Sequence, residues 1–418
     1  MCSKRISTLL LALMLCASLA IIACDRDGDD DDDQADDDSN DDDATGDDDS
    51  GGDDDIVDDD DDLFPPDEQQ PLYEKGQILE PDSLECFNFE TGEYQLNCNH
   101  HGSTIAQLPE GSMAVVWYHG VAEKSPDARI VWSRLAPGER EWPWPEVLYD
   151  EPLRSEGNPA LWVHEDGTLY VFFVTIFGEG WPQSYLRLIR SFDNGATWDN
   201  PLELRERYCW MARHRPVRLG NGELLLPLYN ECLAYPVFIR STDDFATWTE
   251  EAHLNFEYYR QHPGQIQPAC IVLEGDVITA LTRDGMPSNR IKRMISLDGG
   301  LNWGPSIPLD LPNSGTSIDQ VRLLDGSVVV VFNNSQERRF PLSVALSHDG
   351  GETFDAIRNI DDECEGEGCS YAYPSIAQNT LDGTIWVSYS VGRSTIGWVQ
   401  FNERWLMDGD EQPNIPSK

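Results

Sequence analysis

"SFDNGATW", residues 191–198, sets an aspartate two places after a serine and ends on an indole, and related strings begin at Ser241, Ser296 and Ser347, with a worn copy at Ser133. A second series is interleaved with it. "PEGSMAVVWY", "EDGTLYVFFV", "GNGELLLPLY", "LEGDVITALT", "LDGSVVVVFN" and "LDGTIWVSYS" each join a glycine turn to an apolar run, and their glycines (Gly111, Gly167, Gly222, Gly275, Gly326, Gly383) lie 56, 55, 53, 51 and 57 residues apart. Asp, Glu or Asn before Gly supplies the left-handed backbone that tight hairpins need.

Self-similarity at about 50 residues marks propellers or solenoids. One glycine turn and one aspartate turn per period make two hairpins, hence four strands. Six such units predict an all-β, six-bladed propeller of four-stranded antiparallel blades. A parallel α/β fold would need long amphipathic helical segments between strands, and the sequence has none. Asp193, Asp243, Asp298 and Asp349 then occur once per blade, where a carboxylate accepts backbone N–H bonds and the following aromatic packs between blades. Equivalent aspartates spread around a ring cannot converge on one substrate, so they read as braces.

The N-terminus carries Lys4 and Arg5, an apolar stretch from Leu9 to Ile22, and Ala23-Cys24, the layout of a secretory signal ending in a lipobox. Residues 1–24 are therefore expected to be a lipoprotein signal, with Cys24 lipidated after cleavage and the protein exported and anchored to a bacterial membrane. Residues 25–62 hold 24 aspartates and one arginine. Such a segment cannot bury enough surface to offset ordering and is expected to be a disordered linker, leaving 63–418 as the propeller. Removing the linker's −23 and the leader's +2 from the chain's −47 leaves −26 on residues 63–418, which argues against nucleic acid as a partner. A monomer is expected, with contact to the membrane through the lipid anchor only.

Among the seven cysteines after residue 62, Cys86 with Cys98 and Cys364 with Cys369 form close pairs, and Cys270 in "ACIVL" is the odd one out. No spacing suggests a zinc site, and no metal or organic cofactor is implied.

Both hairpin turns of a blade fall on one face, so the chemistry is expected on the other, where the inner strands begin. Counting back from each hairpin glycine gives His101, Asn158, Arg215, Gln267, Asp319 and Tyr373, four of them followed by proline. The second strands return to this rim with Tyr118, His119, Glu231, Arg283, Asp284 and Asn333, and loops add Asp127 and Arg339. In "CWMARHRPV", alternation along a strand would put Arg213 and Arg215 on one side and His214 on the other. Guanidinium groups in a cup with tyrosine, histidine and aspartate suit a carboxylate-bearing sugar, because the guanidinium fork pairs with a carboxylate through two hydrogen bonds.

At these residues the chain resembles the sialidase superfamily, in particular its bacterial BNR-repeat, sialidase-like members, over about residues 98–401. The resemblance implies an exo-glycosidase acting on acidic glycans. It puts Tyr373 of "AYPSI" at the nucleophile position, Asp127 of "EKSPDARI" at the acid/base position, and Arg283 of "ALTRDG" and Arg339 of "RRFPLSVALS" at two of the carboxylate-clamp positions; apart from the resemblance, Arg215 of "CWMARHRPV" is a further candidate for binding the carboxylate. Two positions depart from the pattern: His101 stands where the first clamp arginine is usual, and Gln267 where a glutamate polarises the tyrosine. A neutral amide cannot take a proton. A lyase performing β-elimination on uronic acids, with Tyr373 or His101 as base, and a non-catalytic surface lectin therefore stand beside the hydrolase.

Overall fold

In a propeller blade the inner two strands are covered on both faces by neighbouring blades, so they read as continuous apolar runs rather than alternating ones. "VVVVFN" (Val328–Asn333) is buried along its whole length, as are Met113–Gly120 and Leu169–Ile176. The computed structural model of the protein describes residues 69–249, 254, 256–284, 288–364 and 369–414. Six antiparallel four-stranded sheets follow one another in chain order, a six-bladed β-propeller. All six hairpin glycines have positive φ, from 58° at Gly275 to 90° at Gly111.

The inner strands are Asn99–Gln107, Ser155–Val163, Trp210–Ala212 continued by Val217–Arg218, Gln265–Val272, Asp319–Arg322 and Tyr371–Gln378. The third blade is irregular twice. Its inner strand breaks between Ala212 and Val217, and among the described residues its outer position is held by a single bridge between Arg240 and Thr249. The sixth blade takes its outermost strand from the other end of the chain. Tyr73–Gln77 pairs with Thr395–Phe401, Tyr73 opposite Phe401, which joins the start of the ring to its end.

The aspartate turns are built alike. Ser191 Oγ donates to Asp193 Oδ1 at 2.8 Å, and Asp193 then accepts from the Thr197 amide (2.8 Å) and hydroxyl (2.6 Å). Thr247 bonds Asp243 in the same way, Asn302 does so at Asp298, and Thr353 does so at Asp349. The Thr197 and Thr247 hydroxyls hold the Asp193 and Asp243 carboxyls below the usual range. The aromatic that ends each turn is packed: Trp198 against Trp132 of the preceding blade at 5.6 Å, and Trp303 stacked on Phe238 at 4.2 Å. These aspartates are braces.

Disulfides join Cys86–Cys98, Cys209–Cys232 and Cys364–Cys369, and Cys270 is free and buried. Cys24 and the aspartate-rich segment lie outside the described residues.

Candidate active site

Four inner strands carry the same defect. Pairing with the second strand slips between His101 and Thr104, Gly157 and Ala160, Ile266 and Ala269, and Ala372 and Ser375. At each slip one residue has left-handed backbone: Gly102 (φ 68°), Asn158 (49°), Gln267 (58°) and Tyr373 (51°). A bulge turns the extra residue out of the pleat and re-aims its side chain, and a non-glycine residue held at positive φ is strained, a condition that clusters at functional sites. The proline after Asn158, Gln267 and Tyr373 suits a bulge, since it has no N–H to give the ladder.

In the first blade the counterpart of Tyr373 is Gly102, one residue beyond His101. Counting back from the hairpin glycine thus goes one residue too far there, because Ser103 takes the proline's place. Gly102 is needed at this point, since a Cβ would stand 2.8 Å from the Tyr118 ring. His101 still reaches the centre of the ring. Its imidazole is 4.4 Å from the Tyr373 ring and 5.7 Å from Tyr118, and Nδ1 lies 3.0 Å from Ser390 Oγ. Burial, then Arg393, Arg339 and Arg213, push the imidazole far below its ordinary pKa, so it is neutral, and Nε2 has no hydrogen-bond partner among the described residues.

Tyr373 is the hub. Gln267 Nε2 donates to its hydroxyl at 3.4 Å, the Arg213 guanidinium lies 5.1 Å from its ring centre, and it is within electrostatic reach of Arg339 and Arg393. Asn158 Nδ2 donates to the Tyr229 hydroxyl at 3.0 Å, and burial drives that phenol's pKa up.

The stretch 213–215 does not alternate. Arg213 is buried and donates to Ser317 Oγ, Ser103 O and Pro374 O, tying blades one, five and six across the axis. His214 and Arg215 both turn to Asp319, each at 3.3 Å, which the break in the inner strand allows. Asp319 also accepts from the Ser375 hydroxyl and the Ile376 amide. Burial alone would raise its carboxyl; Arg215, then His214, hold it below the usual carboxylate range. Arg215 is therefore committed to an internal carboxylate and to the Gln320 carbonyl, and Arg213 is the arginine of this stretch that lies against Tyr373.

Arg283 and Arg339 differ from Arg215. Neither side chain has a hydrogen bond or ion pair among the described residues, and the two are close enough that Arg283, with Arg393, helps lower the pKa of Arg339, for which burial is the main cause. Glu231 faces Arg283, and burial raises its carboxyl. The backbone beside it is fixed by the Cys209–Cys232 bond and by the Glu231 amide donating to Cys209 O at 2.7 Å.

Asp127 is engaged elsewhere. Its Oδ2 accepts from the Val121 amide at 2.9 Å and its Oδ1 from the Ser125 hydroxyl at 2.6 Å, so both oxygens brace its own loop. The carboxylate that this loop sends into the cup is Glu123, bonded to Arg393 Nη1 at 2.7 Å and to Trp181 Nε1 at 2.9 Å. Sequence reasoning missed Glu123, Trp181 and Arg393. Arg393 sits in the hairpin after the sixth blade's second strand, on the rim face, so following strand direction into that turn would have found it. Asp284 and Asn333 are structural: Ser288 donates to Asp284, and Asn333 donates to the Pro341 and Tyr371 carbonyls.

A six-bladed ring of four-stranded blades is a fold this chain shares with solved sialidases. The chain belongs to the BNR repeat-like domain family, whose pattern it matches over residues 111–387. No curated protein matches its sequence significantly. Among solved structures it is similar to a Hadza microbial sialidase (18% identity over 73% of this chain and 65% of that one, TM-score 0.59). It is also similar to the intramolecular trans-sialidase from Ruminococcus gnavus in complex with oseltamivir carboxylate (14%, 74% and 96%, TM-score 0.61). The Trypanosoma rangeli sialidase is a third such structure (12%, 81% and 60%, TM-score 0.61). The chain spans 65% of the length of the first and 60% of the third, and at these identities the likeness is one of fold.

Proposed function

We propose that this protein is an exo-glycosidase acting on glycans that end in a carboxylate-bearing sugar, a sialic or a uronic acid. The observation that carries the reading is the pair Arg283 and Arg339, two guanidinium groups that make no hydrogen bond or ion pair with a protein carboxylate among the described residues, gathered near a tyrosine on a strained bulge. Like charges held together and partly out of water are costly unless an anion joins them. A sugar carboxylate is such an anion, and its two oxygens match the guanidinium fork.

With the carboxylate so held, the anomeric carbon would face Tyr373, whose oxygen attacks it or stabilises the positive charge that develops there. Gln267 can orient the phenol but cannot take its proton. His101 lies beside the Tyr373 ring with Nε2 unpartnered among the described residues, but the burial and arginines that keep it neutral also make it a weak base. Two rim carboxyls could protonate the leaving oxygen: Asp127, once its loop releases it, and Glu231, whose raised pKa suits a donor.

One observation favours a second reading. A neutral histidine 4.4 Å from a tyrosine ring, with a glutamine where a general base would be useful, also suits β-elimination on a uronic acid. There arginine neutralises the carboxylate while tyrosine or histidine removes the proton beside it. The products separate the two. Release of fluorophore from an aryl sialoside or aryl glucuronide supports the hydrolase. New ultraviolet absorbance from a carbon–carbon double bond in a uronic-acid polymer supports the lyase. Binding without either supports a lectin.

Tethering at a bacterial membrane through Cys24, with residues 25–62 as spacer, belongs to the same proposal. Radiolabelled palmitate should enter the wild-type protein and not Cys24→Ala; equal labelling would remove the anchor.

A further inference from the structure

We propose that Arg393 is a third guanidinium of the carboxylate site and that Glu123 is an internal carboxylate that occupies it until a sugar carboxylate takes its place; this rests on the reading of the cup given above. Arg393 belongs to the tight turn between Ile385–Val391 and Thr395–Phe401, with φ 66°, and its carbonyl accepts from the His100 amide at 2.8 Å. The turn of blade six is thereby pinned to the inner strand of blade one, beside His101. The guanidinium reaches outward to Glu123 Oε2 at 2.7 Å.

Glu123 is presented, not merely present. Asp127 ties the loop through Val121 and Ser125, and Trp181 Nε1 holds the second oxygen of Glu123 at 2.9 Å. Trp181 has little freedom: its indole lies 2.3 Å from where a Cβ on Gly157 would stand, and its ring is 6.1 Å from Tyr118. Rings then follow without a gap, Tyr118 to His101 at 5.7 Å and His101 to Tyr373 at 4.4 Å. The ion pair therefore forms part of the wall around Tyr373. Glu123 is also within electrostatic reach of Arg339, so one carboxylate from the protein already lies where the arginines converge.

The pair is suited to exchange. The Arg393 and Glu123 side chains keep 39% and 26% of their surface exposed, and ion pairs open to water are weak. A ligand carboxylate that also engages Arg283 and Arg339 gains partners that Glu123 alone does not have. Glu123 would then act as a competitor that lowers affinity for weak anions and leaves room for a correctly shaped sugar acid.

The test is calorimetric titration of the exported chain with N-acetylneuraminic acid and with glucuronic acid, each beside its methyl ester. Glu123→Gln should tighten acid binding by about tenfold, equivalent to about 1.4 kcal/mol, and leave the ester unchanged. Arg393→Ala should weaken acid binding by about tenfold or more, and in the double variant the gain from Glu123→Gln should vanish. If Glu123→Gln weakens acid binding as Arg393→Ala does, or if Arg393→Ala binds the acids like wild type, the pair is only a structural tie and the inference is overturned. Arg283→Ala and Arg339→Ala tell the two levels apart: loss of binding in them with wild-type binding in Arg393→Ala keeps the cup and removes Arg393 from it. If neither wild type nor Glu123→Gln distinguishes an acid from its ester, both readings fall. Should Arg393→Ala fail to fold, the Glu123→Gln arm decides by itself.

Discussion

The aspartate turns and the inner-strand bulges are both repeated around the ring, yet they are opposites in chemistry. At Asp193, Asp243, Asp298 and Asp349 the backbone and the side chain are alike, and every carboxylate is used up by its own turn. At Gly102, Asn158, Gln267 and Tyr373 the left-handed backbone is shared but each side chain is different. A repeat that keeps its residue is doing the same mechanical job in each blade. A repeat that keeps only its backbone offers equivalent directions toward one centre and fills each with a different group, which is how a symmetric scaffold makes an asymmetric site.

The contrast can be broken most sharply at Tyr373. Tyr373→Phe keeps the bulge and the ring packing, so turnover should fall by about 10²–10⁴-fold while the thermal midpoint stays within a degree or so of wild type. A variant that keeps wild-type kcat would return Tyr373 to the class of braces. Next in size are the free arginines. Arg283→Ala and Arg339→Ala should each lose about 1.5–3 kcal/mol of affinity for an acidic sugar and nothing for its ester, by titration.

Glu156, two residues before the bulge at Asn158, sharpens the comparison in another way, through pH. Burial pushes its carboxyl up to about 8 from an ordinary 4.5. The fold therefore favours the protonated form, and this contribution is whole below about pH 4.5 and is lost as pH rises through about 8. Denaturant titrations should show stability falling across that window by up to about 1.4 kcal/mol per pH unit, a slope that Glu156→Gln removes. An unchanged slope in that variant would assign it to other groups. The smallest effect belongs to the braces: Asp349→Ala should cost about 1 kcal/mol of stability with kcat/KM intact, and a large loss of activity would contradict the division.

The ring was legible in the sequence because each blade repeats the same two turns, and glycine and aspartate in them answer to local backbone needs. Asn158, Gln267 and Tyr373 were legible for a related reason, since a proline follows each; the same sign after Arg215 falls in a break of the inner strand instead. Blade one, with Ser103 in place of proline, came out one residue off. Arg393 and Glu123 were not legible, because what joins them is a contact across 270 positions between two turns. That Asp127 bonds its own loop while Glu123 of the same loop reaches Arg393 was not legible either, because it depends on hydrogen bonds within that loop. The strand Tyr73–Gln77, a short and mostly polar run, has no periodic signal; its place is set by pairing with the far end of the chain.

A crystal structure of the protein with a bound carboxylate sugar, N-acetylneuraminate or glucuronate, tests the central claim most directly. The carboxylate should lie within hydrogen-bonding distance of Arg283 and Arg339, with the anomeric carbon turned toward the Tyr373 oxygen. A sugar seated in the cup with its carboxylate away from both arginines, or bound only at the hairpin face, would contradict the account.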